Sequence, residues 1–100
     1  MSGVFPMLGI RLIEELGKAG IKILLILHRH GRMTVTGILR RGIGHTSFYR
    51  ALEVLKSYEL VKEERIGNAR VIMLTELGRE IAEGLKTLDQ KIVVKSRVQP

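Results

Sequence analysis

One hundred residues with 45% hydrophobic and 27% charged side chains make one folded domain with a single core, and exclude a disordered chain. The absence of cysteine excludes disulfides, thiolate zinc sites and cysteine nucleophiles; no apolar run approaches the ~18 residues of a membrane span, and no basic leader precedes a long apolar stretch, so a cytoplasmic protein without a signal peptide is expected. The net charge of +7 is concentrated: between Leu16 and Leu52 there is no acid, yet seven of the 17 Lys and Arg (Lys18, Lys22, Arg29, Arg32, Arg40, Arg41, Arg50) and all three histidines (His28, His30, His45) lie there, and the rest of the chain is neutral.

In chain order, Ser2 to Pro6 reads as a loose arm, and Met7 to Leu16 as a short amphipathic helix that Gly17 and Gly20 punctuate. Ile21 to Leu27 is apolar on nearly every side, which predicts a central buried helix stopped at Gly31. Val35, Ile38 and Leu39 predict a short helix over Thr34 to Arg41, followed by a tight turn at Gly42-Ile43-Gly44. From Thr46 to about Glu59, apolar Phe48, Ala51, Leu52 and Leu55 fall within a narrow arc, opposite Thr46, Arg50, Glu53 and Ser57. Thr46 or the preceding turn caps that helix. Leu60 to Ile66 and Arg70 to Leu74 read as strands around a Gly67-Asn68 turn, a hairpin signal. Thr75 caps a last helix whose Leu77, Ile81, Leu85, Leu88 and Ile92 are spaced by 4, 4, 3 and 4, close to a coiled-coil seam. Ser96 to Pro100 reads as a frayed tail. The scarcity of Asn and Gln beside abundant Arg and Lys fits a thermophilic source.

Two helices joined by a short Gly-bearing turn, the second with a polar outer face, followed at once by a hairpin, give the order of a winged helix-turn-helix. The run Thr46-Ser47-Phe48-Tyr49-Arg50-Ala51-Leu52, with Leu55 and Leu60-Val61 after it, resembles the recognition helix of PadR-like regulators. Leu74-Thr75-Glu76-Leu77-Gly78-Arg79-Glu80 resembles the junction after the wing in MarR-like and PadR-like families. The resemblance covers roughly Lys18 to Leu88. The expected class is mainly α with a small β-hairpin (α+β): an arm and helix over 1–16, a winged helix-turn-helix core over 17–76, a C-terminal helix over 77–95 and a tail over 96–100. The resemblance implies a homodimeric transcriptional regulator on double-stranded DNA, with the helix starting near Thr46 in the major groove, the wing on the backbone, and the terminal helices joining two subunits. Glu59 stands where these families usually place a Gly, and the wing, about Arg65 to Arg70, is short.

The residues point the same way, because an uncompensated basic block is the footprint of a polyanion-binding surface. Arg50, mid-face on the helix, suits the paired acceptors of guanine; its plain reading is a surface partner of Glu53. Thr46 and Ser47, with His45 beside them, suit phosphate at a helix start or simple capping. Tyr49 suits a base or phosphate, or the edge of the core. Arg40 and Arg41 before the turn, and Arg65, Asn68 and Arg70 at the wing, suit the DNA backbone or plain solvation. The expected subunit contact is made by Leu8, Leu12, Leu16, Ile81, Leu85, Leu88 and Ile92. His28 and His30, two apart, make a poor metal pair; no cofactor, metal or catalytic constellation is expected, and no residue marks a small-molecule effector. An anionic membrane fits poorly, since the cations are spread over several short elements. A protein-interaction winged helix and a non-specific architectural DNA binder remain the alternatives.

Overall fold

The computed structural model describes the backbone of residues 4–98 and the side chains of residues 12–87. Helix α1 runs Val4–His30 as two helices joined across Gly17, whose φ of 61° and ψ of −171° belong to no helix. The expected pause from Gly17 to Gly20 is therefore a break at Gly17 alone. Gly20 sits inside the second half of α1, where Leu16 lies against the space a Cβ would occupy. The expected arm is corrected too: Val4 to Pro6 form the first turn of α1, where a proline loses no hydrogen bond, and only Ser2 and Gly3 fall outside the described residues. The helix stops where expected, with the Gly31 amide donating to the Leu27 carbonyl at 2.8 Å.

A strand the sequence did not signal follows. β1 (Met33–Thr34) is two residues long, too short for any period to show, and pairs antiparallel with a later strand through Met33↔Ile72 and Thr34↔Val71. Thr34 also caps α2 (Val35–Leu39), its hydroxyl accepting from the Gly37 amide at 3.0 Å. α2 is thus shorter than Thr34 to Arg41, because Thr34 is its cap and Arg40 and Arg41 already belong to the turn.

α3 (His45–Ser57) begins at Gly44, the N-cap, which offers no side-chain hydrogen bond; the turn and not Thr46 takes the capping position. Its C-terminus is a Schellman motif. Glu59 takes the left-handed conformation at φ 57°, its amide donates to Lys56 O at 2.9 Å, and the Leu60 amide donates to Leu55 O at 2.9 Å. β2 (Val61–Ile66) and β3 (Ala69–Leu74) then pair in register from Val61↔Leu74 to Ile66↔Ala69. Gly67, at φ 60°, supplies the positive torsion that a two-residue hairpin turn requires. The sheet order is β1-β3-β2. Thr75 ties the next junction together: its hydroxyl donates to Glu59 O at 2.6 Å and accepts from the Gly78 amide at 3.0 Å, while its own amide donates to Leu60 O at 3.0 Å. α4 (Glu76–Val98) continues three residues into the expected tail, through Ser96, Arg97 and Val98.

The core gathers Ile23, Leu24 and Leu27 of α1, Ile38 of α2, Phe48 and Leu55 of α3, Leu60, and Ile72 of β3, all fully buried. Each such side chain contributes about 1.5–3 kcal/mol of gross burial. Helix α4 packs on α1, with Ala82 in the core, Ile81 and Leu85 half-buried against it and Gly78 against the Leu60 backbone, which rotates the expected seam away from Leu77, 48% exposed. Leu16, expected at a subunit contact, is 3% exposed within the chain's own core, with Leu12 packed against that core. Leu8, Leu88 and Ile92 lie outside the described side chains.

Candidate nucleic-acid interface

Burial divides α3 as the apolar arc demands. Phe48, Ala51, Leu52 and Leu55 are buried; His45, Thr46, Ser47, Tyr49, Arg50 and Glu53 are exposed. The guanidinium of Arg50 makes no ion pair among the described residues, so the plain reading as a partner of Glu53 does not describe it. Tyr49 has an intermediate role: its ring meets Phe48 edge-on at 5.0 Å between centroids and is still 41% exposed.

The fold brings two lysines from a remote part of the chain to this helix. Lys18 and Lys22, one turn apart on α1, line a cleft of about 270 Å³ with Gly42, Gly44 and Ser47, at the start of α3. Lys18 also lines a second cleft with Thr46, Ser47 and Arg50, where the one acid is Glu15, whose carboxylate accepts from the Tyr58 hydroxyl at 2.7 Å. Arg40 and Arg41 are exposed in the turn just ahead. The first turn of α3 therefore carries free backbone amides, no acidic residue and four neighbouring cations, the chemistry that attracts a phosphate oxygen.

On the other flank, a groove of about 590 Å³ runs between Thr34 and Thr36 of the α2 start, Tyr49, and Ile66, Asn68 and Arg70 of the hairpin. Arg70 in its lining belongs to a charge cluster centred on Glu63. Arg70 donates to that carboxylate twice, from Nε at 2.6 Å and from Nη2 at 3.0 Å, and Lys56 of α3 donates at 2.7 Å. The same Arg70 lies 5.8 Å over the Tyr49 ring. One carboxylate thus clamps the hairpin to α3 and is shared by a cation from each. The hydrogen bonds from Arg70 first, then Lys56, hold the Glu63 carboxyl at about 2 against an ordinary 4.5. A carboxylate whose pKa is lowered on folding stabilises the fold fully above its unfolded value, and loses that contribution as pH falls through the folded value. Acid titration of stability is expected to show a loss between about pH 4.5 and 2 that E63Q lacks; parallel curves for the two proteins count against the clamp.

No family model and no curated protein matches the sequence. Solved structures do resemble this chain. ZitR from Lactococcus lactis, in the apo form of a mutant, is 24% identical with a TM-score of 0.74 over 96% of this chain and 76% of its own. The transcriptional repressor BigR from Xylella fastidiosa is 18% identical with a TM-score of 0.72 over 99% of this chain and 95% of its own. A MarR transcriptional regulator from Methanosarcina mazei Go1 is 19% identical with a TM-score of 0.73, over 90% and 65% respectively.

The fold is a MarR-like winged helix.

In winged-helix terms, α2 and α3 are the helix-turn-helix and β2–β3 the wing. The sequence-predicted residues fall into three groups. His45, Thr46, Ser47 and Arg50 share the exposed face of α3 with Arg40 and Arg41 ahead of it. Arg65 and Asn68 are exposed at the wing end. Arg70, expected beside them, is turned back onto Glu63 and Tyr49. Lys18, Lys22 and Glu63 were not expected at the site. Lys18 and Lys22 carried a signal, being part of the acid-free run. The Glu63–Arg70 contact was readable from the hairpin register, since Glu63 faces Ile72 and Arg70 is two residues further along the same face.

Proposed function

We propose that this chain is a sequence-specific double-stranded DNA-binding regulator of transcription that acts as a homodimer, with α3 in the major groove and the wing against the backbone. The observation that carries this reading is the way the acid-free third of the sequence folds. Five of its seven cations gather at one helix: Lys18, Lys22, Arg40 and Arg41 border the start of α3, and Arg50 stands on the exposed face of that helix. The winged-helix fold supports it, as does the description of the structurally similar BigR as a transcriptional repressor. Phosphate contacts by the bordering cations set the register, and Arg50 reads a base edge.

The test compares Arg50→Ala with Arg41→Ala on two duplexes at one salt concentration, one selected from a random pool and one random. Both residues are exposed, so both variants fold with stability within ~0.5 kcal/mol of the parent. Arg50→Ala is expected to cost ~1–3 kcal/mol on the selected duplex and much less on the random one. Arg41→Ala is expected to weaken both equally. Equal losses with Arg50→Ala make it another phosphate contact; equal binding of every duplex by the parent leaves an architectural DNA binder; no binding at all leaves a protein-interaction winged helix.

The homodimer rests on the terminal helices, which leave large apolar side chains in solvent, Ile13 at 46% and Leu77 at 48% exposure. Sedimentation at micromolar concentration is expected to give a dimer, and Leu88→Glu a monomer. A monomeric parent rules out the pairing.

A further inference from the structure

The two flanks of α3 differ in charge. Toward α1 stand Lys18 and Lys22, which make no ion pair among the described residues and are the free cations that a phosphate attracts. Toward the wing, Arg70 alone is charged among the described residues lining the groove, and two hydrogen bonds hold its guanidinium on Glu63. Around it lie methyl groups and hydroxyls, with exposed Ile66 and half-buried Ala69 beside Thr34 and Thr36. A groove whose one cation is already engaged offers little to a phosphate. It suits an apolar group on the edge of a base.

Tyr49 stands on that flank. An exposed tyrosine on a helix exchanges rotamers within nanoseconds, but this one is braced on two sides. The ring of fully buried Phe48 meets it edge-on, with 5.0 Å between centroids and 81° between planes. The Arg70 guanidinium lies over it, 5.8 Å from the ring centre. Arg70 is held in turn by Glu63, and Glu63 by Lys56, which lies two turns beyond Tyr49 on α3. The chain of contacts leaves α3 at Lys56 and returns to it at Tyr49, so the wing braces a side chain of the helix. The part of the ring still in solvent, 41% of the residue, is a fixed and uncharged rim. Of the groups that base edges present in the major groove, the apolar one is the 5-methyl of thymine.

We infer that Tyr49 reads a thymine 5-methyl group, and that Arg70, fixed by Glu63, is the positioning residue that holds the ring for it. The inference rests on the proposed duplex-DNA reading and adds to Arg50 a second base contact of different chemistry.

The probe is uracil, which keeps every hydrogen-bonding group of thymine and lacks only the methyl. In a duplex selected from a random pool, each thymine is replaced in turn by uracil, and affinities are measured at one salt concentration. At one position or more the parent is expected to lose about fourfold, the worth of one buried methyl. There Tyr49→Ala is expected to bind the thymine and uracil duplexes equally, while Tyr49→Phe, which lacks only the hydroxyl, keeps the parent's preference. Arg70→Gln is expected to lose the preference, and Arg70→Lys, which leaves a cation over the ring, to keep it. A purely structural role for Arg70 weakens both duplexes alike and leaves their ratio unchanged. In the free protein, side-chain scalar couplings of Tyr49 are expected to report one χ1 rotamer in the parent and an average in Arg70→Gln; one rotamer in both overturns the positioning role. A parent that prefers its selected duplex yet is indifferent to every thymine methyl overturns this inference and leaves the regulator reading standing, as does a Tyr49→Ala variant that keeps the preference. A preference lost with Tyr49→Phe assigns the contact to the hydroxyl and overturns the methyl reading. A parent that binds selected and random duplexes equally removes both readings together.

Discussion

Gly78→Ala is expected to destabilise the protein by at least ~3 kcal/mol, lowering the melting temperature by more than about 12 °C. A Cβ built at this position falls on the carbonyl oxygen of Leu60, and 2.8 Å from the carbonyl carbon. That carbonyl has nowhere to go. It accepts from the Thr75 amide, Leu60 itself is buried, and the preceding Glu59 carbonyl is held by the Thr75 hydroxyl. Relief requires α4 to lift away from the wing strands, which opens the packing around buried Ala82 and half-buried Ile81. Gly84 on the same helix gives the control, since a Cβ there meets nothing within 4 Å. Gly84→Ala is expected to stabilise by up to ~1 kcal/mol, the ordinary gain of helix propensity. A Gly78→Ala variant that melts within a few degrees of the parent contradicts the close approach.

The second large effect is the salt dependence of duplex affinity. If Arg40, Arg41 and Arg65 of two subunits each meet a phosphate, six contacts give a log–log slope of roughly −5; Lys18 and Lys22 would take it to roughly −9. Over a rise from 50 to 200 mM salt, affinity is then expected to fall by roughly a thousandfold or more. Arg70 does not enter this count, because its guanidinium is held on the Glu63 carboxylate by two hydrogen bonds. E63Q releases both cations, so its slope is expected to be steeper than the parent's and its binding to random duplex stronger. Lys18→Gln/Lys22→Gln is expected to move the slope the other way. A parent slope near zero removes the basic surface from any role on DNA, and an E63Q slope equal to the parent's shows that the two released cations face away from it.

The amphipathic arc of α3 was legible in the sequence because burial follows a period of 3.6 residues, and Phe48, Ala51, Leu52 and Leu55 keep that period without exception. Glu59 shows a subtler kind of legibility. The PadR-like and MarR-like families that the sequence resembles usually place a Gly there, and here a glutamate adopts a left-handed torsion, with both Schellman hydrogen bonds in place. The position was readable from the pattern even though the residue was not. β1 was illegible for the opposite reason: two residues carry no period, and Met33 and Thr34 are a strand only because β3 lies alongside. Gly17 and Gly20 look alike in sequence, and only Leu16 packing over Gly20 tells the helical glycine from the broken one. The charge block was legible as a block. Which of its cations meet at α3 was not, since Lys18 and Lys22 reach it through the folding of α1 against α3, a contact between distant parts of the chain.

The break at Gly17 gives α1 the mechanics of a lever. Its torsion pair lies in a region open essentially to glycine, and a Cβ there would touch nothing within 4 Å, so backbone torsion and not side-chain fit sets the angle between the two halves. Each half is a stiff rod, and the pivot between them is one residue long. The first residue beyond the pivot is Lys18, which stands beside Ser47 and Arg50 of α3. The N-terminal rod is seated in the core by Leu16 just before the pivot, and Lys18 just after it stands at the cationic border of α3, so the single torsion at Gly17 joins the core to that border.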